Sequence, residues 1–211
     1  SKRAGLLAAL FYAFAALPLQ QSHFFTVDTF GTFFALVTFY FAVRVAQGGG
    51  WGTYLALGAG LGASVACRIN LAPLAGIALL AAGIRVWEEL QTQQASGGRV
   101  DLPWVSMLLQ ATLFRFVLMG VVAIAVFRVA QPYAFGGTSL LDFSFSAQWR
   151  SNMRQIQQLI GGDADYPPGH QWTNRTPFVF PFVNMVVWGM GLPLGLAGWA
   201  GWLVATIQVV L

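Results

Sequence analysis

Asp28 is the sole acidic residue in the first 87 positions and closes the polar stretch Gln20-Gln21-Ser22-His23-Phe24-Phe25-Thr26-Val27-Asp28, between two apolar runs. A carboxylate at the mouth of a membrane span is costly unless it has a partner or a job. Further polar and aromatic groups recur where later apolar runs end: Arg68 with Asn70, Arg128 before Tyr133, then Trp172 and Arg175. A carboxylate can take the proton of an attacking hydroxyl, and guanidinium forks match phosphate oxygens. Aromatic faces such as Tyr133 and Trp172 can cover a sugar ring. A lipid-linked phosphosugar offers partners for all three groups at a membrane surface.

Plainer uses compete at each position. Asp28 also suits the N-cap of a helix starting at Thr29. His23, five residues before Asp28, is a lone imidazole beside one carboxylate, whereas a metal site needs three or four ligands; a divalent ion is left as an open cofactor. Arg68 reads equally as a phosphate clamp or as a snorkelling anchor, and Arg115 reads as a plain anchor on the opposite side. Tyr133 and Trp172 also fit an interfacial aromatic belt. Asp163 and Asp165 fall short of the repeating acidic ligands of a calcium loop, and a solvated turn is expected there.

The elements that must carry these residues are apolar helices. The sequence has 57% hydrophobic and 9% charged residues, with a mean hydropathy of +0.65. Soluble domains carry about a quarter charged residues, so the chain reads as an all-α polytopic membrane protein. Its formal charge of +4 comes from eleven Lys/Arg against seven Asp/Glu, with no basic–aromatic run of the kind that binds nucleic acid. The single Cys67 excludes an internal disulfide or a CxxC metal site.

Apolar runs at 5–19, 29–45, 51–67, 71–87 and about 105–131 predict five spans, followed by an external loop at 132–177 and an interfacial segment plus last span at 178–211. About six crossings result. Within the loop, Trp149, Met153, Ile156 and Ile160 recur at near-helical spacing and predict an amphipathic interfacial helix. Gly58 and Gly62 form a small-xxx-small pair suited to close helix packing in lipid. Alternation of the spans puts residues 20–28, 68–70 and 132–176 on one side. Five Lys/Arg fall on each side, so charge does not orient the chain.

The segments Leu6-Leu7-Ala8-Ala9-Leu10, Ala16-Leu17-Pro18, Ser22-His23-Phe24, Asp28 and Phe33-Phe34 resemble the dolichyl-phosphate-mannose:protein mannosyltransferase type. So does the Gly-rich third span ending in Arg68. Gln131-Pro132-Tyr133-Ala134-Phe135, Gln171-Trp172, Arg175-Thr176-Pro177 and Trp188-Gly189-Met190-Gly191 are similar to bacterial members of this GT-C fold group. The resemblance implies a membrane glycosyltransferase that takes a sugar from a polyprenyl-phosphate donor to an acceptor on the non-cytoplasmic face of a bacterial inner membrane. Asp28 would match the family's second acidic position, as catalytic base or metal support. Arg68 and Arg128 would hold the donor phosphate, while His23, Asn70, Tyr133, Trp172 and Arg175 would line the pocket. The family's first acidic pair is expected ahead of Ser1, so the chain reads as a piece of a longer protein. The alternative is a non-catalytic scaffolding subunit with a transferase-like fold, which adds other membrane subunits to the partners.

Overall fold

The polar breaks and prolines of the sequence decide where helices stop. A computed structural model describes residues 2–137, 139–161, 167, 170 and 174–210. Helix α1 (Lys2–Phe14) gives way at extended Ala15 to α2 (Ala16–His23), and the two axes bend by 59°. Pro18 lies four residues after Phe14, and a proline ring at that spacing clashes with the carbonyl of a continuous helix. The remaining helices are α3 (Val27–Ala46), α4 (Trp51–Cys67), α5 (Leu74–Ala95), α6 (Leu102–Ala130), α7 (Ala147–Gly161), α8 (Val179–Val183) and α9 (Leu192–Val210). Short 3-10 turns occupy Ile69–Leu71 and Pro132–Ala134, and a π-helical turn, Asn184–Gly189, prolongs α8. Among the described residues there is no β-strand, only an isolated antiparallel bridge between Phe135 and Phe145. The expected all-α class holds.

Among the described residues, Val27–Ala46, Ile69–Ala95 and Leu102–Ala130 are long and apolar enough to cross a bilayer, and up to five segments are if each bent pair forms one span. Helix α4, 17 residues long, adds about 25 Å of apolar helix, at the short end of the spanning range. The three to five spans found compare with the expected six.

The chain divides into two compact units. One comprises residues 30–157 and the other residues 1–29 with 158–211. In the first, α4 packs along α6. A Cβ at Gly58 would meet the Met119 carbonyl, and a Cβ at Gly62 would meet the Ala123 carbonyl. The two contacts are one helical turn apart on both helices, so the absence of side chains lets the backbones touch over that distance. Helix α4 also meets α3, where the Thr38 and Ser64 hydroxyls lie 3.2 Å apart, fully buried. Each hydroxyl also reaches a carbonyl one turn back in its own helix, Phe34 and Gly60 respectively, at 2.8 Å. The core joins Ala42 and Val45 of α3, Tyr54 and Leu57 of α4, Ala78 and Ala81 of α5 and Met119 of α6.

In the second unit, α1 and α2 pack with the α8–α9 region. Gly191 takes a left-handed φ of +82°, which lets the chain fold back by 119° between the π-helical segment and α9. At the foot of α9, a Cβ on Gly195 would stand 2.6 Å from the Val186 carbonyl oxygen. Between α1, α2, the π-helical turn and α9 runs an apolar cleft of about 840 Å³, lined by residues including Phe11, Tyr12, Pro18, Met185, Met190 and Leu194.

Candidate functional site

The residues singled out in the sequence divide between the two units. In the unit that holds both chain ends, Asp28 lies partly buried in the first turn of α3. The helix already begins at Val27. The N-cap role considered for Asp28 is therefore overturned, and its carboxylate instead sits where the positive end of the helix dipole favours an anion. The turn ahead of it is fixed by Thr26, whose hydroxyl donates to Gln21 Oε1 at 2.6 Å. His23 ends α2, exposed, with its ring edge-on to Phe24 at 5.3 Å. Arg175 is exposed and holds its guanidinium 4.9 Å from the Phe180 ring centre. It borders a small crevice of about 290 Å³ with Asn174, Thr176 and Val179. Trp172, Asp163 and Asp165 lie outside the described residues.

In the other unit, α4 ends at Arg68, whose extended backbone (φ −147°, ψ 118°) turns the chain into the Ile69–Leu71 turn that exposes Asn70. The Arg68 stem lies along α3: a Cβ on Gly31 would stand 3.8 Å from its Cγ. The lack of a side chain at Gly31 thus admits the aliphatic part of the arginine.

Arg128, at the end of α6, is 5% exposed. Its Nη2 donates to the Ser139 carbonyl at 2.6 Å and to the Gly137 carbonyl at 3.3 Å, while Nε donates to the Asp142 carbonyl at 3.2 Å. The guanidinium also lies over the Phe135 ring, 4.6 Å from its centre. Charge-assisted bonds of this kind are the stronger class of hydrogen bond. Arg128 therefore spends these donors on the loop backbone, and a phosphate contact would have to displace them or use its other nitrogen.

The loop under Arg128 is tightly built. Gly136 N–H donates to the Ser144 carbonyl and Ser146 N–H to the Ala134 carbonyl, each at 2.9 Å. Phe135 stacks on Phe145 at 5.5 Å, and Phe145 on Trp149 of α7 at 4.7 Å. The exposed Tyr133 hydroxyl accepts from Asn152 Nδ2 at 3.1 Å, so this ring too is joined to α7. The Asp142 carboxylate accepts from the Ser144 hydroxyl at 2.6 Å and from its N–H at 2.9 Å. The Ser144 hydroxyl first, then its amide, holds the Asp142 carboxyl below its ordinary range, and the Arg128 charge acts in the same direction. Ser144 is not among the residues singled out from the sequence. The Asp-x-Ser spacing, which allows an Asx-type turn, was the available signal.

Among the described residues no three His, Cys, Asp or Glu side chains gather as a metal site would require.

A family model for dolichyl-phosphate-mannose-protein mannosyltransferases matches residues 1–114, just over half of the chain. The chain belongs to that family. The match includes Asp28, Arg68 and Asn70 and stops short of Arg128 and the loop beyond it. With its apolar helices, family membership makes the chain an integral membrane protein of a glycosyltransferase family that works with a lipid-linked donor. Neither the curated proteins nor the solved structures yield a match to it.

Proposed function

We propose that this mannosyltransferase-family chain carries core spans of an enzyme that moves a sugar from a polyprenyl-phosphate carrier to a hydroxyl acceptor, on the outward face of a bacterial inner membrane. The observation that carries the reading is the family match over residues 1–114, which takes in both Asp28 and Arg68. The acceptor oxygen attacks the anomeric carbon, the bond from that carbon to the phosphate oxygen breaks, and polyprenyl phosphate leaves. Asp28 takes the acceptor proton, a role suited to a carboxylate in reach of a reacting hydroxyl. Arg68 holds the phosphate, where negative charge grows as the sugar departs.

The other residues serve the pocket. Asn70, His23, Tyr133, Trp172 and Arg175 contact sugar or acceptor. Arg128 serves through the loop it organises, with direct phosphate contact as its further assignment. The apolar cleft of the unit that holds both chain ends suits an isoprenoid chain. A divalent ion supporting Asp28 is compatible with this scheme.

The test is sugar transfer by the complete protein in membranes, from a polyprenyl-phosphate-linked donor, read by mass spectrometry of the acceptor. Asp28→Asn is expected to slow transfer at least about a hundredfold, the lower range for loss of a general base. Arg68→Gln is expected to raise the donor KM. Transfer undiminished by Asp28→Asn would end the assignment and leave the scaffolding reading in its place.

A further inference from the structure

Roughly 20 Å along α4 from Arg68, at 1.5 Å per residue, three helices of the same compact unit bring together polar groups that the glycosyltransferase reading does not use. Tyr54 of α4 is 1% exposed, and its hydroxyl has no hydrogen-bond partner. The Nε of Arg115, on α6, is likewise buried and unpaired. The Arg115 guanidinium lies 5.3 Å from the ring centre of Trp51, one turn before Tyr54. Arg85 of α5 approaches the same end of α4. Its Nη1 lies so near Gly48 that a Cβ there would stand 2.8 Å away, and Gly48 has a left-handed φ of +91°. The charges of Arg115 and Arg85 both act on the Tyr54 hydroxyl.

Buried donors in folded proteins are nearly always satisfied, and a buried guanidinium nitrogen left without an acceptor is costly. Here two such donors stand together. The carboxylate seen at this cluster is Glu89, bound to Arg85 Nη2 at 2.8 Å, and among the described residues Arg115 takes part in no ion pair. A water molecule would satisfy the hydroxyl but leave the excess positive charge. A phosphate oxygen would answer both needs. The surroundings of Arg115 also indicate the route of entry: Leu113 and Phe114 are more than 60% exposed, and Trp51 is 43% exposed. Such a surface faces lipid, and Trp at this level is usual for a headgroup interface.

We infer that Arg115, Tyr54 and Arg85 form a binding site for an anionic phosphate group, at the end of α4 away from Arg68, with an anionic phospholipid as the source that the apolar approach favours.

The test uses the full chain in nanodiscs of phosphatidylcholine alone, of phosphatidylcholine with phosphatidylglycerol, and of phosphatidylcholine with inorganic phosphate in the buffer. Thermal unfolding and native mass spectrometry of retained lipid are the readouts. Phosphatidylglycerol is expected to raise the unfolding temperature of the wild type and to remain bound. Arg115→Gln should weaken retention about tenfold, the scale of one charge-assisted hydrogen bond. Tyr54→Phe preserves the packing and should weaken retention roughly threefold, while leaving stability in phosphatidylcholine unchanged or higher, because it removes an unpaired hydroxyl. A response to inorganic phosphate equal to that from phosphatidylglycerol supports the site with a soluble ligand as its source. Wild type and Tyr54→Phe responding alike to both phosphate sources, or neither responding, overturns the inference even if Arg115→Gln fails to fold.

Discussion

The Nη2 of Arg128 lies 2.6 Å from the carbonyl oxygen of Ser139, which ties the last turn of α6 to the loop that follows it. Two further loop carbonyls, Gly137 and Asp142, accept from the same guanidinium. Lysine at this position could not reproduce the fork that reaches all three. Arg128→Lys is therefore expected to lose about 2–3 kcal/mol, the worth of hydrogen bonds to a charged group. Hydrogen exchange should accelerate first at the Gly136 and Ser146 amides. Unchanged protection at those amides would refute the tethering role.

The order of this loop should depend on pH. The Asp142 carboxyl is held below its ordinary range by the Ser144 hydroxyl and amide, with a contribution from the Arg128 charge. A carboxyl whose pKa is lowered by folding adds stability that is complete above its unfolded pKa. That stability is lost as pH falls through the lowered folded value. The protection factor of the Ser144 amide, its exchange measured against the intrinsic rate at each pH, should therefore be high at neutral pH and fall on acidification through that window. Asp142→Asn should remove the pH dependence, and the same acid response in that variant would count against this origin.

Close backbone contact between α4 and α6 sets a sharp sign difference between glycines. Gly62→Ala places a methyl group against the Ala123 carbonyl and is expected to destabilise by about 1–3 kcal/mol, as overpacking does. Gly120→Ala, on α6, meets no atom within 4 Å and should stabilise by about 0.5–1 kcal/mol through helix propensity. Thermal unfolding in detergent compares the two. Equal effects would show that α4 and α6 do not touch through Gly62.

The hydroxyls of Thr38 and Ser64 join α3 to α4 in the apolar interior at 3.2 Å. Each residue has one hydroxyl proton, and a carbonyl one turn back competes for it. A double-mutant cycle of Thr38→Val and Ser64→Ala should therefore give a coupling of only about 0.6 kcal/mol, the usual scale for such pairs in membrane helices. Coupling above about 2 kcal/mol would mean that the hydroxyls bond to each other in preference to their own helices.

Much of the fold could be read along the chain because bilayer thickness imposes it. Runs such as 29–45 and 51–67 must be helical to satisfy their backbone in hydrocarbon, and α3 and α4 lie within a few residues of those bounds. The Trp149, Met153 and Ile156 spacing likewise marked α7. Pro18 lies near the end of the run at 5–19, but the 59° bend between α1 and α2 follows from the carbonyl four residues earlier, which the run itself does not reveal. At Asp28 the sequence identified an isolated carboxylate but misplaced the helix start, because Val27, outside the apolar run at 29–45, already enters the helix.

By itself the sequence determined the solvent, the helical class and the family, since these rest on composition, run length and short local motifs. Tertiary structure alone decided the employment of each arginine. In sequence Arg68 reads as clamp or anchor alike and Arg115 as a plain anchor, because the meaning of a guanidinium lies in acceptors supplied by other parts of the chain. Folding gave Arg128 three carbonyls of the loop that follows α6 and laid the Arg115 guanidinium over Trp51 of another helix, and no local pattern encodes either meeting.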